Sequence, residues 1–295
     1  MTNPADLTSG LPQTGYIDVR GFGLNYPTID GDVQAVCDVD LHVSPGEFIS
    51  IVGPSGCGKS TLLNALAGFL KPTYGTVEVD GAPICGPGAD RGMIFQHYSL
   101  FPWKTVIQNV EFGLKMKGVD AARRRTAART LLALTGLSDF ENHYPERLSG
   151  GMKQRVGIVR ALATGPRILL LDEPFGALDA QTRAIMQQIL TNIWQQLRIS
   201  VLFVTHDIDE AVFLSDRIYV MSAKPGSIKA EIKVPLLRPR DPSTVAVDTE
   251  FMRLRAELMA LIREESIKAM GGELNADAMR GIATNLGGRN LAEVV

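Results

Sequence analysis

The run Gly53-Pro54-Ser55-Gly56-Cys57-Gly58-Lys59-Ser60 has the spacing G-x-x-x-x-G-K-S. Glycines at these positions let the backbone fold back tightly, so its N–H groups converge. A helix opening there adds its positive end, and the two together cradle phosphate oxygens. Lys59 would reach the β- and γ-phosphates of a nucleotide, and the Ser60 hydroxyl would hold Mg²⁺, with Thr61 following on the same helix. A second signal is the adjacent pair Asp172-Glu173, which ends the apolar run 168–171. Strand ends in parallel sheets gather at one edge, where ligands bind. Asp172 there suits Mg²⁺, usually through water, and Glu173 can polarise an attacking water. The third signal is Leu148-Ser149-Gly150-Gly151. Ser149 is a plausible N-cap, and the glycines after it leave backbone N–H groups bare, which makes a second anion cradle. Each signal alone has a plainer reading: a Gly-rich turn, helix-initiating acids, a capped helix start. Together they point to a nucleoside triphosphate that is bound and hydrolysed. Two cradles with only one lysine loop call for an explanation.

Those residues need a scaffold, and the hydrophobic pattern supplies one. Alternating apolar residues from about 17 to 52 suggest strands, with Gly21, Gly23 and the stretch 27–32 marking turns. The apolar run 48–52 leads into the phosphate loop and the helix-like run 61–67 leads out. Residues 71–75 read as a turn and 75–80 as a strand. From about 101 to 163 helical periodicity dominates, most clearly over Ala121–Leu134. The continuous apolar runs 168–171 and 201–205 suit strands buried on both faces of a parallel sheet, and Ala180–Leu197 between them reads as a helix, giving a βαβ unit. Pro235, Pro239 and Pro242 mark a boundary. Phe251, Leu254, Leu258, Leu261 and Ile262 then follow helical spacing, predicting a helix packed on the core or on a partner copy. The expected architecture is α/β: a mainly parallel core sheet, an antiparallel β part and an inserted helical subdomain at about 98–163. Residues 1–15 read as a flexible leader, 16–235 as the nucleotide-binding domain, and 236–295 as a helical extension with a loosely held tail from 271.

Composition narrows the partners. The chain has 295 residues, a formal net charge of -2 and 45% hydrophobic residues, with a pI of about 6.1. Such a balance gives no electrostatic reason to expect nucleic acid. No apolar run approaches the ~20 residues of a membrane helix, and the N-terminus shows no secretion signal. Cys37, Cys57 and Cys85 have no metal-ligand spacing and fit free thiols in a reducing compartment. Cys57, inside the phosphate loop, is either an oxidisable switch or simply a small residue that fits.

In order and spacing, the phosphate loop, the Leu-Ser-Gly-Gly signature and the strand ending in Asp-Glu-Pro resemble the ATP-binding subunit of ABC transporters. The resemblance spans roughly 16–235 and assigns further residues. Gln96 matches the Q-loop glutamine, which touches Mg²⁺ and senses the membrane partner. Ala177-Leu178-Asp179 matches the D-loop, and His206 the switch histidine at the γ-phosphate. Tyr26 falls where the family stacks an aromatic on adenine, or is an ordinary strand residue. The family explains the two cradles: copies pair head to tail, so Ser149, Gly150 and Gly151 of one cover the ATP on Lys59 of the other. Met152, where many members have glutamine, and Gly176, where serine is frequent, depart from the pattern without disturbing ATP binding.

Residues 100–106 with Pro102-Trp103, and Leu236-Leu237-Arg238-Pro239-Arg240-Asp241, resemble the branch importing nitrate, sulfonate, taurine and similar small anions. The resemblance thus implies an ATP-hydrolysing motor of a type I importer, at the cytoplasmic face of the membrane. Its partners would be a second identical or homologous ATPase subunit, separate membrane permease subunits and, indirectly, an external substrate-binding protein. Trp103 would anchor a permease contact or lie in the core. Rival readings are an exporter motor and an ABC ATPase acting on nucleic acid or the ribosome. The single cassette and the short interval from Gln96 to Ser149 oppose the latter. A nucleotide-binding module without turnover is opposed by Glu173 together with His206.

Overall fold

The structure, a computed structural model, describes residues 15–29 and 31–269. The expected leader, apart from Gly15, and the tail from 271 lie outside the described residues. Strand β1 (Ile17–Thr28) pairs antiparallel with β2 (Gly31–Val43). After β3 (Phe48–Val52) come α1 (Lys59–Ala67), β4 (Tyr74–Val79), β5 (Ala82–Pro83) and β6 (Arg91–Ile94). Three helices follow: α2 (Val106–Met116), α3 (Ala121–Leu134) and α4 (Gly150–Ala163). The chain then runs through β7 (Ile168–Asp172), α5 (Ala180–Leu197), β8 (Ser200–Val204), α6 (Ile208–Leu214), β9 (Arg217–Met221) and β10 (Ile228–Lys233). A short α7 (Pro242–Val245) precedes α8 (Thr249–Ala269).

Two sheets result. One is antiparallel, in the order β2-β1-β4-β5. The other runs β10-β9-β3-β8-β7-β6 and is parallel except for its β10 edge. Burial explains the difference in sequence texture. Strands β3, β8 and β9 are buried at every residue, so they read as unbroken apolar runs, whereas β1 and β2 alternate. Helix α1 fills the space between the sheets: Leu62, Leu63 and Leu66 pack with Phe22 and Val36 on one side and Leu170 and Leu202 on the other. Helices α5, α6 and α8 cover the opposite face through Met186, Leu190, Val212, Leu254 and Leu258. Helix α8 therefore packs on its own chain's core. Helices α2, α3 and α4 form a separate apolar cluster around Val110, Leu132 and Val156.

Two expectations for turns are corrected. Gly21 and Gly23 lie inside β1, at the register shifts between Val19, Phe22 and Leu24. They make bulges, which require the same positive-φ or small residue that a turn would: Gly21 has φ 51, and a Cβ at Gly23 would strike the Tyr74 ring at 2.0 Å. The turn at 71–75 ends early, because Tyr74 already pairs with Gly23.

The parallel register matters most for function. Ile94 lies opposite Leu171, Asp172 opposite Val204, and Val204 opposite Ile51. The carboxyl ends of β6, β7, β8 and β3 are thereby level, and the residues just beyond them meet at one edge.

Candidate functional site

Gly56 (φ 76) and Gly58 (φ 96) give the phosphate loop its curvature. A Cβ at Gly58 would also lie 2.5 Å from Val36 Cγ2, so both backbone and space demand glycine. Gly58 is the N-cap of α1 and supplies no side-chain cap, which leaves the first N–H groups of the helix for a ligand. Ser55 and Gly56 are exposed at the loop tip. Lys59 is buried, and its Nζ donates to the carbonyls of Gly53 (2.8 Å) and Pro54 (2.9 Å). Cys57 is buried, and burial pushes its thiol pKa up, opposing thiolate formation. That agrees with a space-filling role. Tyr26, 39% exposed at the end of β1, has its hydroxyl 3.2 Å from Thr61 Oγ1, beside the same helix.

The second group stands on the ends of β7 and β8. Ser60 Oγ donates to Asp172 Oδ1 at 3.0 Å. Burial raises the pKa of Asp172, an effect that Ser60 opposes and neighbouring Glu173 reinforces. Glu173 has φ 42, which is uncommon outside glycine, while its N–H extends the strand ladder to Val204 O at 2.9 Å. Its Oε2 accepts from Gln96 Nε2 at 3.3 Å and lies 3.1 Å from His206 Nδ1. One carboxylate thus joins the ends of three strands.

The structure therefore brings Tyr26, residues 53–61, Gln96, Asp172, Glu173 and His206 to one edge. No hydrogen bond joins Ser149, Gly150 or Gly151 to it among the described residues. Ser149 caps α4 by accepting from Met152 N. A Cβ at Gly150 would meet Tyr98 Oη at 2.8 Å, and one at Gly151 would meet Thr182 Cγ2 at 2.5 Å, so this turn abuts the segments after Gln96 and after Asp179. Asp179 caps α5 through Thr182 N at 2.9 Å.

Some supporting residues escaped the sequence reading. Arg183 Nη1 donates to Asp207 Oδ2 at 2.9 Å and its Nη2 to Leu178 O at 3.2 Å. Thr205 Oγ1 donates to buried Glu210 at 2.7 Å. These contacts hold His206 between two fixed neighbours. Asp207 and Glu210 stand three apart at a helix start, an Asp-x-x-Glu spacing that was a usable signal.

A glycine loop feeding α1 from the end of the central parallel strand β3, with carboxylates at the end of β7, on the far side of β8, defines a P-loop nucleotide-hydrolysing α/β protein. Comparison with known proteins narrows this. Residues 36–176 match the ABC transporter family. The nitrate import ATP-binding protein NrtD of Synechocystis is 50% identical over 240 residues, 79% of this chain and 90% of the relative. The taurine import ATP-binding protein TauB of Yersinia pestis is 50% identical over 235 residues, 78% and 92% respectively. A solved ATP-binding cassette, MJ0796, dimeric and bound to ADP and phosphate, aligns with TM-score 0.67 at 35% identity, covering 75% of this chain and all of that one. The chain belongs to the ATP-binding subunits of ABC transporters, and it is an ATPase motor of the importer type.

Proposed function

We propose that this chain powers uptake of a small anion such as nitrate, a sulfonate or taurine, by closing and reopening an ATP-bound dimer beneath a permease. One observation carries the catalytic assignment: the Glu173 carboxylate held between Gln96 and His206, one residue beyond Asp172 at Ser60. The substrate class rests on the nitrate and taurine relatives.

In this reading ATP lies on the 53–61 loop, with Tyr26 at the adenine and Lys59 leaving its loop carbonyls for the β- and γ-phosphates. Ser60, Asp172 and Gln96 offer hydroxyl, carboxylate and amide oxygens, the hard donors Mg²⁺ requires. Among the described residues no cluster of three or more His, Cys, Asp or Glu is arranged to hold a metal. That fits an ion completed by phosphate oxygens and water. When bound, it neutralises charge on those oxygens. Glu173 takes the proton of the attacking water as that water's oxygen bonds to the γ-phosphorus and the bridging oxygen leaves with ADP. His206 holds the Glu173 carboxylate and faces the γ-phosphate. Ser149, Gly150 and Gly151 of a second copy, with Asp179, close the site from the other side. ATP then acts as a population switch, because it binds the closed dimer better than the open one.

The domain division follows the same logic. Residues 16–235 form the motor, 98–163 its helical subdomain and 236–295 an extension. Among the described residues no helix is long and apolar enough to cross a membrane, consistent with a peripheral subunit at the cytoplasmic face. Trp103, 70% exposed beside Phe101, is the permease anchor in this scheme. The deciding experiment is reconstitution with the permease and the binding protein of its own transport system. MgATP-driven uptake of nitrate, taurine or an alkanesulfonate into vesicles supports the reading, and uptake of none of them removes the substrate class.

A further inference from the structure

The phosphate loop is backed by another stretch of backbone. A Cβ on Gly226 would lie 1.8 Å from the Cys57 carbonyl oxygen, so main chain presses directly on main chain there. Gly226 belongs to the turn between β9 and β10. Its N–H donates to Ala35 O (3.0 Å) and its carbonyl accepts from Cys37 N (2.9 Å), which stitches the turn to β2. Ser222 and Ser227 close the turn on itself: Ser227 N donates to Ser222 Oγ and Ser222 N to Ser227 O, both at 2.9 Å.

The far side of this turn is held from α8. Glu265 Oε2 accepts from Ala223 N at 2.8 Å, while Oε1 takes Lys229 Nζ and Lys268 Nζ, each at 2.7 Å. Glu265 is 2% exposed, although Arg263, Glu264, Ile267 and Lys268 around it face solvent. A buried carboxylate is tolerated only when its oxygens are fully partnered. Here one of those partners is an amide of the turn that touches the nucleotide loop.

We infer that Glu265 is a positioning residue for ATP: from α8 it fixes the 222–227 turn, and through Gly226 it fixes the Cys57 carbonyl and the curvature of the phosphate loop. The inference rests on loop 53–60 holding the nucleotide. It gives α8 a part in ATP affinity, beyond covering apolar surface.

The test uses the full chain and four variants: Glu265→Ala, Glu265→Gln, Leu258→Ala and Lys59→Ala. Leu258 belongs to the apolar packing of α8 and not to the turn. The readouts are MgATP titration, steady-state hydrolysis, thermal melting and hydrogen exchange of the 53–58 and 222–227 amides. Glu265→Ala should raise Kd and KM for ATP about 3- to 10-fold, the scale of one charge-assisted hydrogen bond felt indirectly, with kcat changed less than about twofold. Exchange in both segments should quicken. Glu265→Gln keeps an acceptor for Ala223 N and should recover part of the affinity. Leu258→Ala should lower the melting temperature with KM unchanged. Wild-type KM and exchange in Glu265→Ala would overturn the inference, as would an equal rise of KM in Leu258→Ala. If Glu265→Ala does not fold, wild-type KM and exchange in Glu265→Gln overturn it instead. ATP binding that survives Lys59→Ala removes the nucleotide assignment itself. Binding lost in Lys59→Ala but intact in both Glu265 variants removes only the positioning role.

Discussion

Gly226→Ala separates the shape of the phosphate loop from its chemistry, because it alters no group that touches substrate. Non-bonded contacts to a Cβ do not fall below 3.0 Å, whereas the new methyl would start 1.8 Å from the Cys57 carbonyl oxygen. The two backbones must therefore part by at least about 1.2 Å. The turn carrying Gly226 is held by Ala35, Cys37 and Glu265, while the phosphate loop pivots on Gly56 and Gly58, so the loop is the part that yields. A misplacement of about 1 Å costs on the order of 10²-fold in rate, equivalent to about 2.7 kcal/mol of activation free energy. Overpacking should cost a further 1–3 kcal/mol of stability, roughly, seen as a fall of several degrees in melting temperature at about 2–4 °C per kcal/mol. Steady-state hydrolysis with circular dichroism melting measures both. A folded Gly226→Ala protein with wild-type kcat/KM would refute the claim that this backbone contact sets the geometry of the loop.

Four further outcomes are expected. Glu173→Gln should retain ATP binding and slow hydrolysis by roughly 10²–10⁴-fold, the usual worth of a positioned base; single-turnover assays decide, and near-normal turnover would take the base role from Glu173. Mixing inactive Ser149→Arg and Lys59→Ala chains should restore at least one working site, and no recovery in a verified heterodimer would count against a shared site or show that both sites must fire. Trp103→Ala should leave melting within about 0.5 kcal/mol, as for exposed positions generally, yet abolish permease-stimulated ATPase; intact stimulation would dismiss the docking role. Burial alone would raise the Glu265 pKa, but Lys229, Lys268 and the Ala223 N–H outweigh it and hold it at about 2, below the ordinary 4.5. The folded state therefore binds fewer protons than the unfolded one between those values. The stability Glu265 adds is complete above about pH 4.5 and is lost as pH falls toward 2. Urea unfolding should show the gap between wild type and Glu265→Gln shrinking on acidification, and a gap independent of pH would contradict this.

What the sequence disclosed follows from physics that acts locally. Strands β7 and β8 were legible because burial on both faces leaves no polar residue in their stretches 168–171 and 201–204. Helix α3 was legible from an unbroken helical pattern between Asp120, its cap, and Thr135. Gly21 misled because a bulge and a turn require the same backbone freedom, and Gly23 because a glycine that makes room for the Tyr74 ring reads no differently in sequence. The apolar stripe of α8 announced packing but not on what, since a stripe carries no address; α6 and β9 proved to be its partners. Trp103 could be buried or exposed on sequence alone, and only the fold places it at the surface. The contact of Glu265 with Ala223 crosses 42 positions and depends on the rotation of α8 about its own axis. No motif encodes that. The Glu173, Gln96 and His206 cluster was foreseen as separate matches, but their meeting on one carboxylate oxygen is set by strand register.

Helix α1 begins at Gly58 without a side-chain cap and lies between the two sheets, where its leucines hold the domain together. A ligand that satisfies its first amides thus stabilises an element at the heart of the fold. By mass action, free ATP at about a hundred times its Kd adds about 2.7 kcal/mol to folding. The resistance of this protein to proteolysis should then track the nucleotide supply of the cell. Variants that weaken ATP binding would be scarce as well as slow, and their abundance must be measured before a lost phenotype is ascribed to lost catalysis.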